Sequence, residues 1–174
     1  VSPSPFADIH DDLRAVARDL LGRTSPVASG GDARAMAWDE AARAGWLGLE
    51  VPDGLDGAGA TVAEVAVILH EMGRAATLAP YLGSVVLAVG LLGGLEPSAG
   101  RDAALRAISG GRERFAVAVP AGGSDATGPA FRVQEAGGRV TVRGAVPFVA
   151  DGLEAHRLLL PAMGPDDRPV VVCV

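Results

Sequence analysis

The sequence predicts a two-part α+β chain: an amino-terminal all-α helical domain over residues 1–111, then an incomplete antiparallel β-barrel or sandwich domain over residues 112–174. Three observations carry this. Apolar residues recur at helical spacing as far as Ile108. Beyond the Gly110-Gly111 pair the period drops to two. The last apolar run, Val170–Val174, has no closing strand behind it, and an open hydrophobic edge invites aggregation. The chain therefore reads as part of a larger protein.

The helices follow in order. Ser4 stands at an N-cap position and Pro5 at the first helical one, opening a helix to Leu21 whose stripe is Leu13, Val16, Ala17, Leu20 and Leu21. Thr24–Gly31 is a small-residue linker. A second helix runs from Asp32 to Gly45, and the glycine-rich stretch from Gly48 to Ala60 is a loop. Thr61 and Glu64 form a Thr-x-x-Glu capping box for a helix that buries Val65, Ile68, Leu69 and Met72 and ends at Gly73. Pro80 to Leu92 carries no charge, yet is too short to cross a bilayer, so it predicts a fully buried helix. A last helix spans Ser98 to Ile108.

Five runs read as strands: Phe115–Val119, Ala130–Gln134, Val140–Arg143, Arg157–Pro161 and Val170–Val174. Gly137-Gly138 joins the second and third as a hairpin.

Charge and chemistry narrow the function. Fifteen basic against twenty-one acidic residues give a net charge of −6, which argues against a nucleic-acid partner. The lone Cys173 allows no internal disulfide, and Val1–Ile9 lacks a secretory pattern; together they predict a reducing, cytoplasmic setting with no membrane span. His10, His70 and His156 share no metal-ligand spacing, so no metal is expected. His70-Glu71 begins a His-Glu-x-x-His pattern, but position 74 is Arg. Gly54-x-x-Gly57-x-Gly59 lacks the strand before it and the Lys-Ser/Thr after it that a phosphate loop needs, and reads as a turn. Gly122-Gly123-Ser124-Asp125 could hold an anion or ring carbonyl on exposed N–H groups; a plain loop is the simpler reading. Trp38 and Trp46 read as core or interface aromatics, and Arg74 as a cation on a helix C-terminus.

Four blocks carry a more specific signal. Trp38-x-x-x-Ala42-x-x-Gly45-Trp46-Leu47-Gly48-Leu49-x-Val51-Pro52, with Gly57-x-Gly59 behind it, resembles the amino-terminal signature of the acyl-CoA dehydrogenases. Glu64-x-x-Val67-x-x-His70-Glu71-Met72-Gly73-Arg74, followed by Pro80-Tyr81, resembles their next helix and its exit. Phe115 to Asp125 is similar to the family segment Ala-Leu-Thr-Glu-Pro-x-Ala-Gly-Ser-Asp. Val142-x-Gly144, Phe148-Val149-Ala150 and Ala155-His156 resemble the strands that follow.

The resemblance implies a third, carboxy-terminal helical bundle absent from this chain. It also implies FAD as cofactor, an acyl-CoA thioester as substrate and electron-transferring flavoprotein as reoxidant. The reaction implied is α,β-dehydrogenation: a glutamate takes the α-proton and the flavin takes the β-hydride. Carried over by position, Val117, Ala118, Val119, Gly123 and Ser124 would border the flavin and its phosphates, and Phe148, Val149 and Ala150 its ring. The chain departs from the family there. Ala118 and Ala150 stand where the family has threonines, and Val119 where it has a glutamate. Each lost hydroxyl contact is worth on the order of 1 kcal/mol. No glutamate matches the family's base. Family members acting on steroid side-chain thioesters pair two homologous subunits, one of which has lost parts of the site. The expectation is thus an acyl-CoA dehydrogenase of lipid or steroid catabolism, or its homologous partner subunit, in a homo- or hetero-oligomer. The alternatives are a non-catalytic assembly subunit and a flavin monooxygenase or nitroalkane-oxidase relative.

Overall fold

A computed structural model describes residues 7–24, 36–119 and 130–174. The chain forms two compact units. One takes the residues up to Ala79 together with Leu92–Arg112; the other takes Pro80–Leu91 with Glu113–Val174.

The first unit is helical. Helix α1, Ala7–Thr24, buries Ala17 and Leu21 completely enough to leave them 0% and 1% exposed. The predicted start at Ser4 and Pro5 lies outside the described residues, as does the Thr24–Gly31 linker apart from Thr24, which is the last residue of α1 rather than linker. Helix α2 is only Trp38–Arg43, shorter than predicted on its described side, because Ala44 closes it and Gly45 turns at φ 76°. A 3-10 turn, Trp46–Gly48, follows and is wholly buried. Helix α3, Val62–Arg74, opens on the predicted capping box: Thr61 Oγ1 accepts from the Ala63 amide at 3.2 Å, and the Thr61 amide donates to Glu64 Oε2 at 2.8 Å. It buries Val65, Ile68 and Met72, and closes one residue past Gly73.

The uncharged run after Pro80 is a π-helix over Leu82–Ala88 that tightens into α4, Val89–Gly93. Its burial is one-sided, contrary to the expectation of a helix covered all round. Tyr81, Val85 and Ala88 are sealed, whereas Leu82 is 45% exposed and Gly90 lies open. Among the described residues no helix is long and apolar enough to cross a membrane. Helix α5, Ala99–Ser109, is capped by Ser98 Oγ on the Arg101 amide and buries Leu105 and Ile108.

Among its described residues the second unit has five strands: β1 Phe115–Val117, β2 Phe131–Ala136, β3 Arg139–Gly144, β4 Arg157–Met163 and β5 Pro169–Cys173. β2 and β3 form the predicted hairpin, with Gly137 and Gly138 at φ 58° and 72° as a two-residue turn of this hand requires. Among the described residues the path is β1-β4-β2-β3, with β5 on the free edge of β4 and no closure. Not every ladder is antiparallel as expected: β1 and β2 both run parallel to β4. Period-two alternation reports which face a residue takes, and direction is set by the connection. Here the β2–β3 hairpin intervenes between β1 and β4, so β4 arrives by a crossover. Ala118, Phe131, Val133, Leu160 and Ala162 make the core, with Val142, Val149 and Val172 packed against it.

Candidate functional site

The residues with an expected flavin role divide three ways in the structure. Gly123 and Ser124 lie outside the described residues. Val117 and Ala118 are buried at 3% and 2% exposure, because β1 is covered on both faces. Val119 and Phe148 face outward, 44% and 71% exposed. Val149 packs on the same apolar cluster as Ala118, and Ala150 is half-buried beside it in sequence. The sheet core thus brings together the segments around 118 and 149.

What holds the 148–150 segment was not legible in the sequence. Asp151 sits at φ 58°, and its Oδ2 accepts the Gly83 amide at 2.7 Å. A Cβ on Gly83 would lie 2.8 Å from the Ala150 carbonyl oxygen and 3.0 Å from Asp151 Cβ, so only glycine allows this approach. One residue on, fully buried Ser84 accepts the Phe115 amide on its Oγ at 3.2 Å, satisfying the first N–H of β1. At the other end, the Arg114 amide donates to His156 Nδ1 at 3.1 Å and the Arg114 Nε to the Glu154 carbonyl at 2.9 Å. His156 is therefore a structural acceptor where β1 and β4 begin.

Among the described residues, the side chains at these positions do not fit the polar edge of an isoalloxazine. Val117, Ala118, Val119, Phe148, Val149 and Ala150 offer no side-chain donor or acceptor at all. On the β1 side the main-chain amides are spent: the Ala118 amide donates to the Leu159 carbonyl at 2.9 Å and the Val119 amide to the Val117 carbonyl at 3.1 Å. Phe148 and Val119 provide apolar contact only. Restoring a hydroxyl at position 118 places it among Phe131, Val133, Leu160 and Ala162. We expect Ala118→Thr to lower stability by about 1–2 kcal/mol, read as a lower urea midpoint, without a gain in flavin. An unchanged midpoint would show that this side chain escapes the core.

The histidines of the first unit are likewise engaged or bare. His10 Nε2 meets Glu64 Oε1 at 2.5 Å, which with Thr61 holds the Glu64 carboxyl down to about 2. The negative Glu64, after burial itself, pushes Glu50 up. His70 is exposed on a groove with His10, Arg14, Ala63, Ala66 and Val67. Among the described residues no three His, Cys, Asp or Glu side chains gather to hold a metal ion.

A helical unit leading into an unclosed mixed sheet is the fold of about half an acyl-CoA dehydrogenase. The chain matches a variant of the Tcur3481-Tcur3483 steroid ACAD at TM-score 0.75 and 25% identity, over 97% of this chain and 48% of that one. It matches the ChsE4-ChsE5 complex from Mycobacterium tuberculosis at TM-score 0.77 and 23% identity, over 99% of this chain and 48% of that one. Butyryl-CoA dehydrogenase from Megasphaera elsdenii gives 0.77 and 18%, over 99% and 50%. Residues 8–94, half of the sequence, match the family model described as acyl-CoA dehydrogenase, N-terminal domain. The chain belongs to the acyl-CoA dehydrogenase family. No curated protein matches it by sequence. It spans about half the length of the solved structures it resembles.

Proposed function

We propose that this chain is the helical and β part of a homologous partner subunit in a heteromeric acyl-CoA dehydrogenase of lipid or steroid catabolism. The observation that carries it is an asymmetry. The scaffold blocks are kept, with Trp46, Leu47, Val51, Glu64, Glu71 and Met72 buried, while every described position expected to hold the flavin lacks a polar side chain. FAD and the catalytic base are then supplied by the other subunit. The similarity to a two-component steroid ACAD and to the ChsE4-ChsE5 complex supports this arrangement.

The chemistry asks for a flavin-bearing neighbour. Removing an α-proton from a thioester requires donors on the carbonyl and a dry pocket, and a flavin to receive the hydride. This chain's contribution is wall and orientation: a packed helical unit and a sheet that displays Phe148 and Val119. Acyl-CoA as substrate, electron-transferring flavoprotein as reoxidant and a cytoplasmic location belong to the whole assembly. The lost donors equally favour a purely architectural subunit, which differs in one respect: its surface touches no substrate.

The visible spectrum of the full-length protein tests this. Purified alone it should lack stoichiometric flavin absorbance, and co-purified with its flavin-bearing homologue the complex should show it. Stoichiometric flavin in the lone protein overturns the partner-subunit reading. Substitutions at Phe148 that shift KM separate a substrate-contacting wall from an architectural one.

A further inference from the structure

We propose that Asp151 is a positioning residue: its carboxylate, hydrogen-bonded to the Gly83 amide, fixes the turn that presents Phe148, Val149 and Ala150. The contact joins residues 68 apart in sequence at 2.7 Å. Three features make it a device rather than an incidental contact. Gly83 lies in the first turn of the π-helix, where amides lack helical partners, so an acidic acceptor is favoured there. The absence of a Cβ at 83 lets the Ala150 carbonyl and Asp151 approach directly. Asp151 itself holds φ 58°, a left-handed conformation that Asp tolerates better than most residues and that persists only when its surroundings enforce it.

Short bonds complete the turn: the Gly152 amide reaches the Val149 carbonyl, and the Glu154 amide the Asp151 carbonyl, each at 3.1 Å. The result is a hydrogen-bonded turn bearing two large apolar side chains in water, Phe148 at 71% and Leu153 at 104% exposure. A side chain held out this way needs its backbone fixed from behind, and the helix does so through one carboxylate. That a flavin-bearing partner meets this face rests on the proposed subunit role; that Asp151 fixes it does not.

Three substitutions in the full-length protein separate the hydrogen bond from the backbone strain. Asp151→Asn keeps both an acceptor and tolerance for positive φ. Asp151→Gly keeps only the tolerance, and Asp151→Ala keeps neither. Hydrogen exchange at Gly83 and at 148–152 should stay within about twofold of wild type for Asn and rise about tenfold or more for Gly and Ala. Gly behaving like Asn overturns the proposal, because the backbone alone would then hold the turn. Capture of the flavin-loaded homologous subunit should weaken about tenfold for Gly and Ala and be rescued by Asn. Equal capture by all three variants also overturns a positioning role. If wild type captures no flavin-loaded subunit, the subunit reading fails instead, and the exchange result still decides the role of Asp151.

Discussion

Gly57→Ala should destabilise the helical unit by about 3 kcal/mol or more, the largest single-residue effect expected in that unit. The reason lies in how residues 48–60 fold back on themselves. The Ala58 amide donates to the Gly48 carbonyl at 2.9 Å, Gly59 to Val51 at 2.9 Å and Ala60 to Leu49 at 2.7 Å. These bonds draw the strand leaving the turn flat against the one entering it. A Cβ on Gly57 would land on the Val51 carbonyl and against its side chain, both fixed parts of a buried residue. Flexible side chains can swing away from a methyl; a main-chain carbonyl already accepting a hydrogen bond cannot. The loop is also tied down from α5, since Ser109 Oγ donates to the Asp56 carbonyl at 2.5 Å. Gly54 is the control: nothing lies within 4 Å of its would-be Cβ. Gly54→Ala should change the urea midpoint by no more than about 0.5 kcal/mol equivalent. Equal midpoints for the two variants would mean the turn opens easily, and with it the interpretation of the whole Gly57-x-Gly59 signature.

That comparison shows what the sequence could and could not disclose. The spacing marks 48–60 as a turn, but a glycine required by crowding looks the same in sequence as one that is merely present. Elements written in local code were legible: the Thr61–Glu64 box, the Gly137-Gly138 hairpin and the five strands all appear where patterning placed them. Strand direction was not, since β1 and β2 meet β4 through connections whose path periodicity does not encode. The candidate site suffered most. Asp151 and Gly83 form an ordinary Asp-Gly turn and an ordinary helical glycine until the fold brings them together. Ala118 reads as a lost hydroxyl by resemblance, whereas in the structure it is one of the packed residues of the sheet core. Likewise Glu64 is visible as a capping residue and His10 as a histidine without metal-ligand spacing, and only the packing of α1 on α3 reveals them as partners.

The same helix pair gives the second large effect, a stability that depends on acid. Glu64 and Glu71 lie seven residues apart, on one face of α3, and both are buried, at 8% and 2% exposure. Glu71 receives the Arg18 Nε and Nη2 at 3.0 Å each and the Arg74 Nε at 3.1 Å. The Arg18 hydrogen bonds hold its carboxyl below the usual range against the opposing pull of burial. Glu64, bonded first to His10 and then to Thr61, titrates at about 2 instead of 4.5. A carboxyl whose folded pKa is depressed binds fewer protons folded than unfolded, so its contribution is present above the unfolded value and is lost as pH falls through the folded one. The urea midpoint should therefore decline from pH 4.5 toward pH 2, and Glu64→Gln and Glu71→Gln should each flatten that decline. At neutral pH the two ends of the Arg18–Glu71 link should differ. Arg18 and Arg74 are 55% and 59% exposed in their side chains, so removing Glu71 releases them to water. Removing Arg18 instead takes two hydrogen bonds from a carboxylate that is 1% exposed and leaves Arg74 beside it. Arg18→Ala should then lower the urea midpoint more than Glu71→Gln, since a buried carboxylate that loses two charged hydrogen bonds is the more expensive defect. Below the folded pKa of Glu71 the gap should close, because the carboxyl becomes neutral. If Arg18→Ala proves no worse than Glu71→Gln at pH 7, water reaches Glu71 and the α1–α3 contact is looser than its geometry states.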